Sequence, residues 1–255
     1  MQNTNFKNIS SLLLATLFIS TSGVLGKYIA MPVEAIVWFR SAFAVVFIYG
    51  FCKFTKVDLK IKAKKDWIPF ILSAVFMAGH WLTYFYALKL SNVAIGMLSL
   101  FTFPIITAFL EPFFSKTKFD YMHLLLGAMV LLGIYILSPE LDFQNDSVKG
   151  ILFGLFSAFC YAMRILILKQ YVTSYHGSSL MFFQLLIISI ILLPALFLYD
   201  TSNISTQFPY VIILALVTTA IGHTLFILSL THVKVSKTSI IGSTQPTFAT
   251  KSAFF

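Results

Sequence analysis

Gly79-His80 is followed by Ala94-Ile95-Gly96 and then Pro104, and the same order returns as Gly222-His223, Ser239-Ile240-Ile241-Gly242 and Pro246. His80 and His223 lie 143 positions apart and Pro104 and Pro246 lie 142 apart, so one small gap aligns two long stretches. Lys27 and Lys169 keep the 142-residue offset near the end of the first apolar segment of each copy. Such a chain is expected to fold as two similar units, residues 1–142 and 143–255.

With 58% hydrophobic residues, 28 Phe and only 11% charged residues, neither unit can be a water-soluble globule. The apolar runs, each about long enough for a ~30 Å hydrocarbon core, read as Ile9–Tyr28, Val33–Cys52, Trp67–Leu88, Val93–Phe114, Tyr121–Leu137, Gly150–Leu168, Leu180–Tyr199, Pro209–Leu230 and Ser239–Phe255. A helix satisfies its own backbone in lipid, and nothing in these runs alternates with the period of a barrel strand. The expected fold class is therefore an all-α polytopic membrane protein. Five spans in the first unit force the second to enter the bilayer from the opposite side, giving inverted five-helix repeats. That architecture is a signature of transporters.

Lysine placement orients the chain. A cytoplasmic N-terminus puts Lys7, Lys53, Lys56, Lys60, Lys62, Lys64, Lys65, Lys116, Lys118, Lys169, Lys234 and Lys237 inside, and only Lys89 and Lys149 clearly outside. Net charge +9 then needs no nucleic acid, and the basic run Lys53–Asp66 reads as a topology signal facing anionic lipid. The first span reads as a permanent helix rather than a cleaved signal, because no small-x-small site precedes Lys27 convincingly. Cys52 and Cys160 fall in or beside apolar spans and read as buried thiols rather than a disulfide or metal pair. The acids are scattered and no His/Asp spacing fits a metal. No Gly-rich phosphate loop is present, so neither an enzyme nor a cofactor is expected.

Several stretches together resemble the drug/metabolite transporter superfamily, in its EamA-type ten-helix exporters. They are Lys27, Trp38-Phe39-Arg40-Ser41-Ala42, Tyr84-Phe85-Tyr86-Ala87-Leu88, Pro104 with Glu111, Gly127 through Gly133, Gly154, Ser157–Tyr161 and Gly242–Pro246. The resemblance implies a bacterial inner-membrane exporter of amino acids or related metabolites that works by alternating access. Uptake of a nucleotide-linked metabolite such as S-adenosylmethionine is the alternative it leaves. The chain departs from the pattern at one place. Helix 5 should recur at about residues 263–279, but the sequence given ends at Phe255. The second repeat is thus expected to lack its last helix, for about nine in all. Lys251, where helix 4 carries apolar sequence, would cost about 2.5–3.5 kcal/mol at mid-bilayer unless it snorkels. The expectation is a truncated or frame-shifted product, inactive if the missing helix is needed.

Polar groups inside the bilayer are costly and line functional paths. Arg40, about 10 Å down helix 2 from the outer side, reads either as an anchor for a carboxylate or phosphate or as a side chain that snorkels outward or pairs with Glu34. Arg164 reads as a snorkelling inner-face charge. Counting residues puts His80 about 20 Å from the inner face and His223 about 21 Å from the outer, hence in opposite leaflets. Each is a gate or proton relay, or a neutral imidazole bonded across a helix interface, and the scarcity of buried carboxylates favours the latter. Glu111 is expected to pair with Lys116 or Lys118. Pro104 and Pro246 break their helices and free carbonyls for a ligand. Around them Trp81, Tyr84, Phe101 and Thr102 form an expected aromatic wall, facing Thr224, Thr244 and Gln245, a lining suited to a small amphipathic solute. The expected partners are that solute and the lipid bilayer, with a homodimer left open.

Overall fold

The computed structural model describes residues 2–115, 125, 127–129, 132, 136, 145–233 and 235–242. Within them the chain is helical. The first half runs α1 (Gln2–Tyr28), α2 (Val33–Phe54), α3 (Trp67–Leu90), α4 (Val93–Leu100) and α5 (Phe103–Phe114). The second runs α6 (Asp146–Lys169), α7 (Gly177–Ile191), α8 (Ala195–Leu198), α9 (Ile204–Ile213), a π-helical stretch Leu214–His223, α10 (Thr224–Ser229) and α11 (Val235–Gly242). Seven spans among the described residues are long and apolar enough to cross a membrane. They reproduce seven of the runs read from the sequence; the other two, Tyr121–Leu137 and Ser239–Phe255, lie largely outside the described residues. The protein is a multi-pass membrane protein.

Proline sets the internal breaks. The fourth span is split at Phe101-Thr102, where Pro104 begins α5 without an N–H for the carbonyl one turn earlier. The span Gly177–Leu198 is interrupted at Leu192–Pro194, before the single turn of α8.

Helix contacts obey an approximate two-fold relation between the repeats. The strongest packing joins α3 to α6, and α1 packs in turn on the π-helical stretch and α10. These are the same pairing, third helix of one repeat on first helix of the other, made twice. The second helices of the two repeats, α2 and α7, meet each other, and α5 meets α11. Small residues permit the close approach, as expected where lipid offers no hydrophobic drive between helices. A Cβ on Gly79 would lie 3.2 Å from Cys160 Sγ, and one on Gly222 would lie 3.0 Å from Ile19 Cγ1 and 3.3 Å from Phe18 Cβ. Phe18 and Cys160 are themselves 142 positions apart, so the repeated Gly-His stands against equivalent points of the facing helix.

Each end of the bundle is tied by hydrogen bonds between the repeats. At the Lys27 end, the α1–α2 loop meets the start of α9: Asn203 Nδ2 donates to the Ala30 carbonyl (3.2 Å) and Ala30 N–H donates to Gln207 Oε1 (3.3 Å). At the Lys169 end, the α6–α7 loop meets the start of α3. Tyr175 donates its hydroxyl to Asp66, accepts from the Lys62 N–H (2.9 Å), and Lys62 Nζ donates to the Ser174 carbonyl. Burial and the bond to the Asp66 carboxylate raise the Tyr175 phenol pKa, so it stays a proton donor.

Candidate functional site

A closed chamber lies on the seam between the repeats. Its wall is Ile19 and Ser22 from α1, His80, Trp81 and Tyr84 from α3, Leu100 and Phe103 beside the α4–α5 break, Tyr161 from α6, and His223 at the end of the π-helical stretch. The void is about 20 Å³. That is room for one water and no organic solute.

The rings interlock across the seam. His80 is 4.5 Å from Tyr161 and 6.0 Å from Tyr84 between centroids; His223 is 5.5 Å from Trp81 and 6.5 Å from Tyr161. His80 and His223 therefore face one chamber, which corrects their assignment to opposite leaflets. Counting along straight helices overlooked that each sits near the middle of the bundle, where the two-fold relation brings equivalent positions together. His80 is also bonded across the helix interface. Ser157 Oγ donates to the His80 carbonyl (2.9 Å) and lies 2.8 Å from His80 Nδ1. With the hydroxyl proton on that carbonyl, Nδ1 is the ring donor and Nε2 is left as an acceptor.

Arg40 is fully buried and neither snorkels nor pairs with Glu34. Its Nε and Nη2 donate to Thr219 Oγ1 (3.1 and 2.8 Å) and Nη2 also to Thr218 Oγ1 (3.2 Å), while its guanidinium carbon lies 3.9 Å from the Trp81 ring centroid. Glu34 instead accepts from the Tyr86 hydroxyl. Two consecutive threonines can serve one guanidinium because the local turn is a π-helix, where both hydroxyls donate back to the Leu214 carbonyl. Such wide turns recur at functional positions.

Arg164 overturns the expectation of an inner-face charge reaching water, for it too is fully buried. Its Nε and Nη2 donate to Gln184 Oε1 (3.3 and 3.0 Å), and its guanidinium carbon lies 5.8 Å from the Tyr161 ring centroid. Neither guanidinium meets a carboxylate among the described residues, where the ion pair is Lys149–Asp146 on the surface. Each lies close to an aromatic ring of the chamber wall, and neither lines the void itself. Arg40 Nη1, Arg164 Nη1, Gln184 Nε2, Tyr161 Oη and His223 Nδ1 are all buried without a hydrogen-bond partner.

The remaining expected lining residues stand at different removes. Phe101 is buried against Phe103 (6.0 Å), Thr102 spends its hydroxyl on the Ser99 carbonyl (2.8 Å), and Pro104 is buried at the start of α5. These three lie beside the chamber without lining it. Thr224 faces a separate apolar slot of about 350 Å³ between α2 and the second repeat. That departs from the expected hydroxyl wall; the threonines that the π-helical stretch turns inward are Thr218 and Thr219, and these meet Arg40 rather than the void. Thr244, Gln245 and Pro246 lie outside the described residues, as do Lys116 and Lys118, the expected partners of Glu111. Sequence reasoning missed Tyr161, Arg164, Thr218 and Thr219. The i, i+4, i+7 spacing of Ser157, Tyr161 and Arg164 places all three on one face of α6, and that was the available signal.

No curated protein matches the chain. The crystal structure of another protein superposes with a TM-score of 0.76 at 14% identity, covering 96% of this chain and 86% of its own, a likeness of fold. The model of the EamA-like transporter family matches residues 7–138 and again residues 148–255. With two matches that together span nearly the whole sequence, on a fold of inverted repeats closed around a central chamber, the chain belongs to the EamA-like transporter family.

Proposed function

We propose that this chain is a secondary transporter that exports a small carboxylate-bearing metabolite, of the class of amino acids and related compounds, across the bacterial inner membrane. The N-terminus is cytoplasmic in this reading, and residues 1–142 and 143–255 are the rocking halves. Solute is held by Arg40, His80, Trp81, Tyr84 and His223. Phe101, Thr102, Pro104 and Thr224 shape the surrounding helices, and Thr244, Gln245 and Pro246 extend the wall. The observation that carries the reading is the chamber on the repeat seam, with a buried guanidinium 3.9 Å from the Trp81 ring that meets no carboxylate among the described residues and keeps one nitrogen unbonded. A ring wall suits an apolar body, and a buried donor suits a carboxylate. Separate ties at the two ends allow one side to open while the other stays shut, which is what alternating access requires. S-adenosylmethionine fits less well, because its sulfonium would enter beside two uncompensated arginines.

Cells expressing the chain and loaded with amino-acid dipeptides test this by release of free amino acids. Release faster than in cells carrying an empty vector, and lost in Trp81→Ala, is the expected result. Release equal to the empty vector for every amino acid, basic and acidic included, overturns it.

A further inference from the structure

We propose that the chamber takes its solute as an organic anion with two negative charges, a small dicarboxylate, and that Arg40 and Arg164 are its two anchors. This rests on the transport reading of the same chamber and names the charge of what is moved.

Two positive charges stand fully buried inside the span, and each leans on neutral partners only: Thr218 and Thr219 for Arg40, Gln184 and Met181 for Arg164. Removing an ion from water is costly unless an opposite charge meets it. No Asp or Glu stands in the described chamber wall to do so. Each guanidinium also keeps one nitrogen, Nη1, buried and unbonded. Arginine presents a planar fork matched to a carboxylate, and here two such forks are incompletely filled. Gln184 Nε2, beside Arg164, adds a further unfilled donor.

The same arrangement ranks an amino acid below the dicarboxylate of the same chain length. An α-ammonium group needs acceptors or a carboxylate, and it would feel two unscreened cations in a medium of low dielectric. A solute with two carboxylates leaves no charge without a counterpart. Arg40 lies 3.9 Å from the Trp81 ring centroid and Arg164 5.8 Å from that of Tyr161, and neither arginine lines the void, so on this proposal these rings move when solute is admitted. Outward movement of an anion is favoured by an inside-negative membrane potential, so export in this form needs no coupled proton.

Glutarate, glutamate and glutamine share a five-carbon chain and carry charges of −2, −1 and 0. Uptake of each is measured in proteoliposomes holding the full chain. The expected order of kcat/KM is glutarate, glutamate, glutamine, with about tenfold or more between neighbours and with glutarate uptake faster under an inside-positive potential. Arg164→Gln is expected to erase the step between glutarate and glutamate, and Arg164→Lys to keep much of it, a rescue that misfolding would not give. Glutamine moving as fast as glutarate overturns the proposal. A binding measurement separates the two readings: Trp81 fluorescence in a Trp38→Phe/Trp67→Phe background, which leaves Trp81 as the sole tryptophan. Arg164-dependent quenching by glutarate without uptake of any solute sustains the anion site and overturns transport. Neither quenching nor uptake of glutarate overturns the anion site, whatever else is moved.

Discussion

Lys27 and Lys169 make the same bond at opposite ends of the bundle. Lys27 Nζ donates to the carbonyls of Leu88 and Ser91, 61 and 64 residues downstream, and Lys169 Nζ to those of Leu230 and Val233, again 61 and 64 residues downstream. Each ammonium ties the first helix of its repeat to the carbonyl-rich end of the third, where a cation also meets the favourable end of the helix dipole. The offset noted between the two lysines thus extends to the atoms they touch.

Removing either ammonium is expected to destabilise the protein, by unequal amounts. Charge-assisted hydrogen bonds contribute about 1.5–3 kcal/mol each, and water competes more at Lys27, which is exposed, than at half-buried Lys169. Lys169→Met should therefore lower the thermal midpoint in detergent by more than Lys27→Met. A larger loss at Lys27, or none at Lys169, would show that these contacts do not hold the repeats in shape.

The end ties make a second expectation, about which side opens more readily. At the Lys169 end Tyr175 donates to a carboxylate, Asp66, beside Lys62, whereas at the Lys27 end Gln207 accepts a single neutral bond of 3.3 Å, one of several contacts there that include Asn203 with Ala30 and Tyr199 with Glu34. Tyr175→Phe removes a bond to a charged acceptor worth about 1.5–3 kcal/mol, a tenfold or greater shift in an opening equilibrium. Gln207→Leu should act in the opposite sense and more weakly. Spin labels at Lys60 and Thr173 report the Lys169 end, and labels at Ala30 and Ser202 the Lys27 end. The two substitutions should lengthen different pairs; lengthening the same pair would mean that the ties do not alternate.

What the residues disclosed in advance follows from the kinds of force involved. Spans, duplication and inversion rest on hydropathy and order, which act locally and survive in one dimension, so α1 through α3 and α6 through α9 were legible. Arg40, His80, Trp81, Tyr84 and His223 were legible as polar or amphipathic groups in places where lipid tolerates few. Arg164 was not, because snorkelling is the ordinary solution for an arginine near a span's end, and only the fold shows α7 covering it with Gln184. The meeting of His80 with His223 was hidden for a related reason, since depth counted along one helix says nothing of how the other leans. Thr218 and Thr219 became visible only through the π-helical turn, which no propensity scale marks.

That turn gives Arg40 an asymmetric pair of acceptors. Thr219 Oγ1 receives two guanidinium bonds, 3.1 and 2.8 Å, and Thr218 Oγ1 one of 3.2 Å. Thr219→Val leaves Nε with no partner and is expected to cost about 2–3 kcal/mol, against about 1 kcal/mol for Thr218→Val, after which Nη2 keeps its shorter bond. Arg40→Lys keeps the charge but loses the fork and should raise the KM for a carboxylate solute about tenfold or more with little change in protein yield. Equal effects of the two valine substitutions on stability and KM would show that the pairing does not position the guanidinium.

Gly222 offers the last test, because the same dipeptide occurs twice and its two glycines face different neighbours. A methyl group on Gly79 would press on the sulfur of Cys160 at 3.2 Å, a single atom at the end of a side chain. On Gly222 it would press at 3.0 Å on Ile19 Cγ1, at 3.3 Å on Phe18 Cβ and at 3.3 Å on the Val217 carbonyl, of which the last two belong to or adjoin backbone and cannot turn away. Overpacking of this kind costs about 1–3 kcal/mol. Gly222→Ala should therefore destabilise the protein more than Gly79→Ala, and, because Ile19 lines the chamber and His223 follows Gly222, it should slow transport as well. Cys160→Ala is expected to relieve Gly79→Ala almost fully, while Ile19→Ala relieves Gly222→Ala only in part. A Gly222→Ala protein as stable and active as the parent would mean that α1 and the π-helical stretch do not pack as closely as this seam requires.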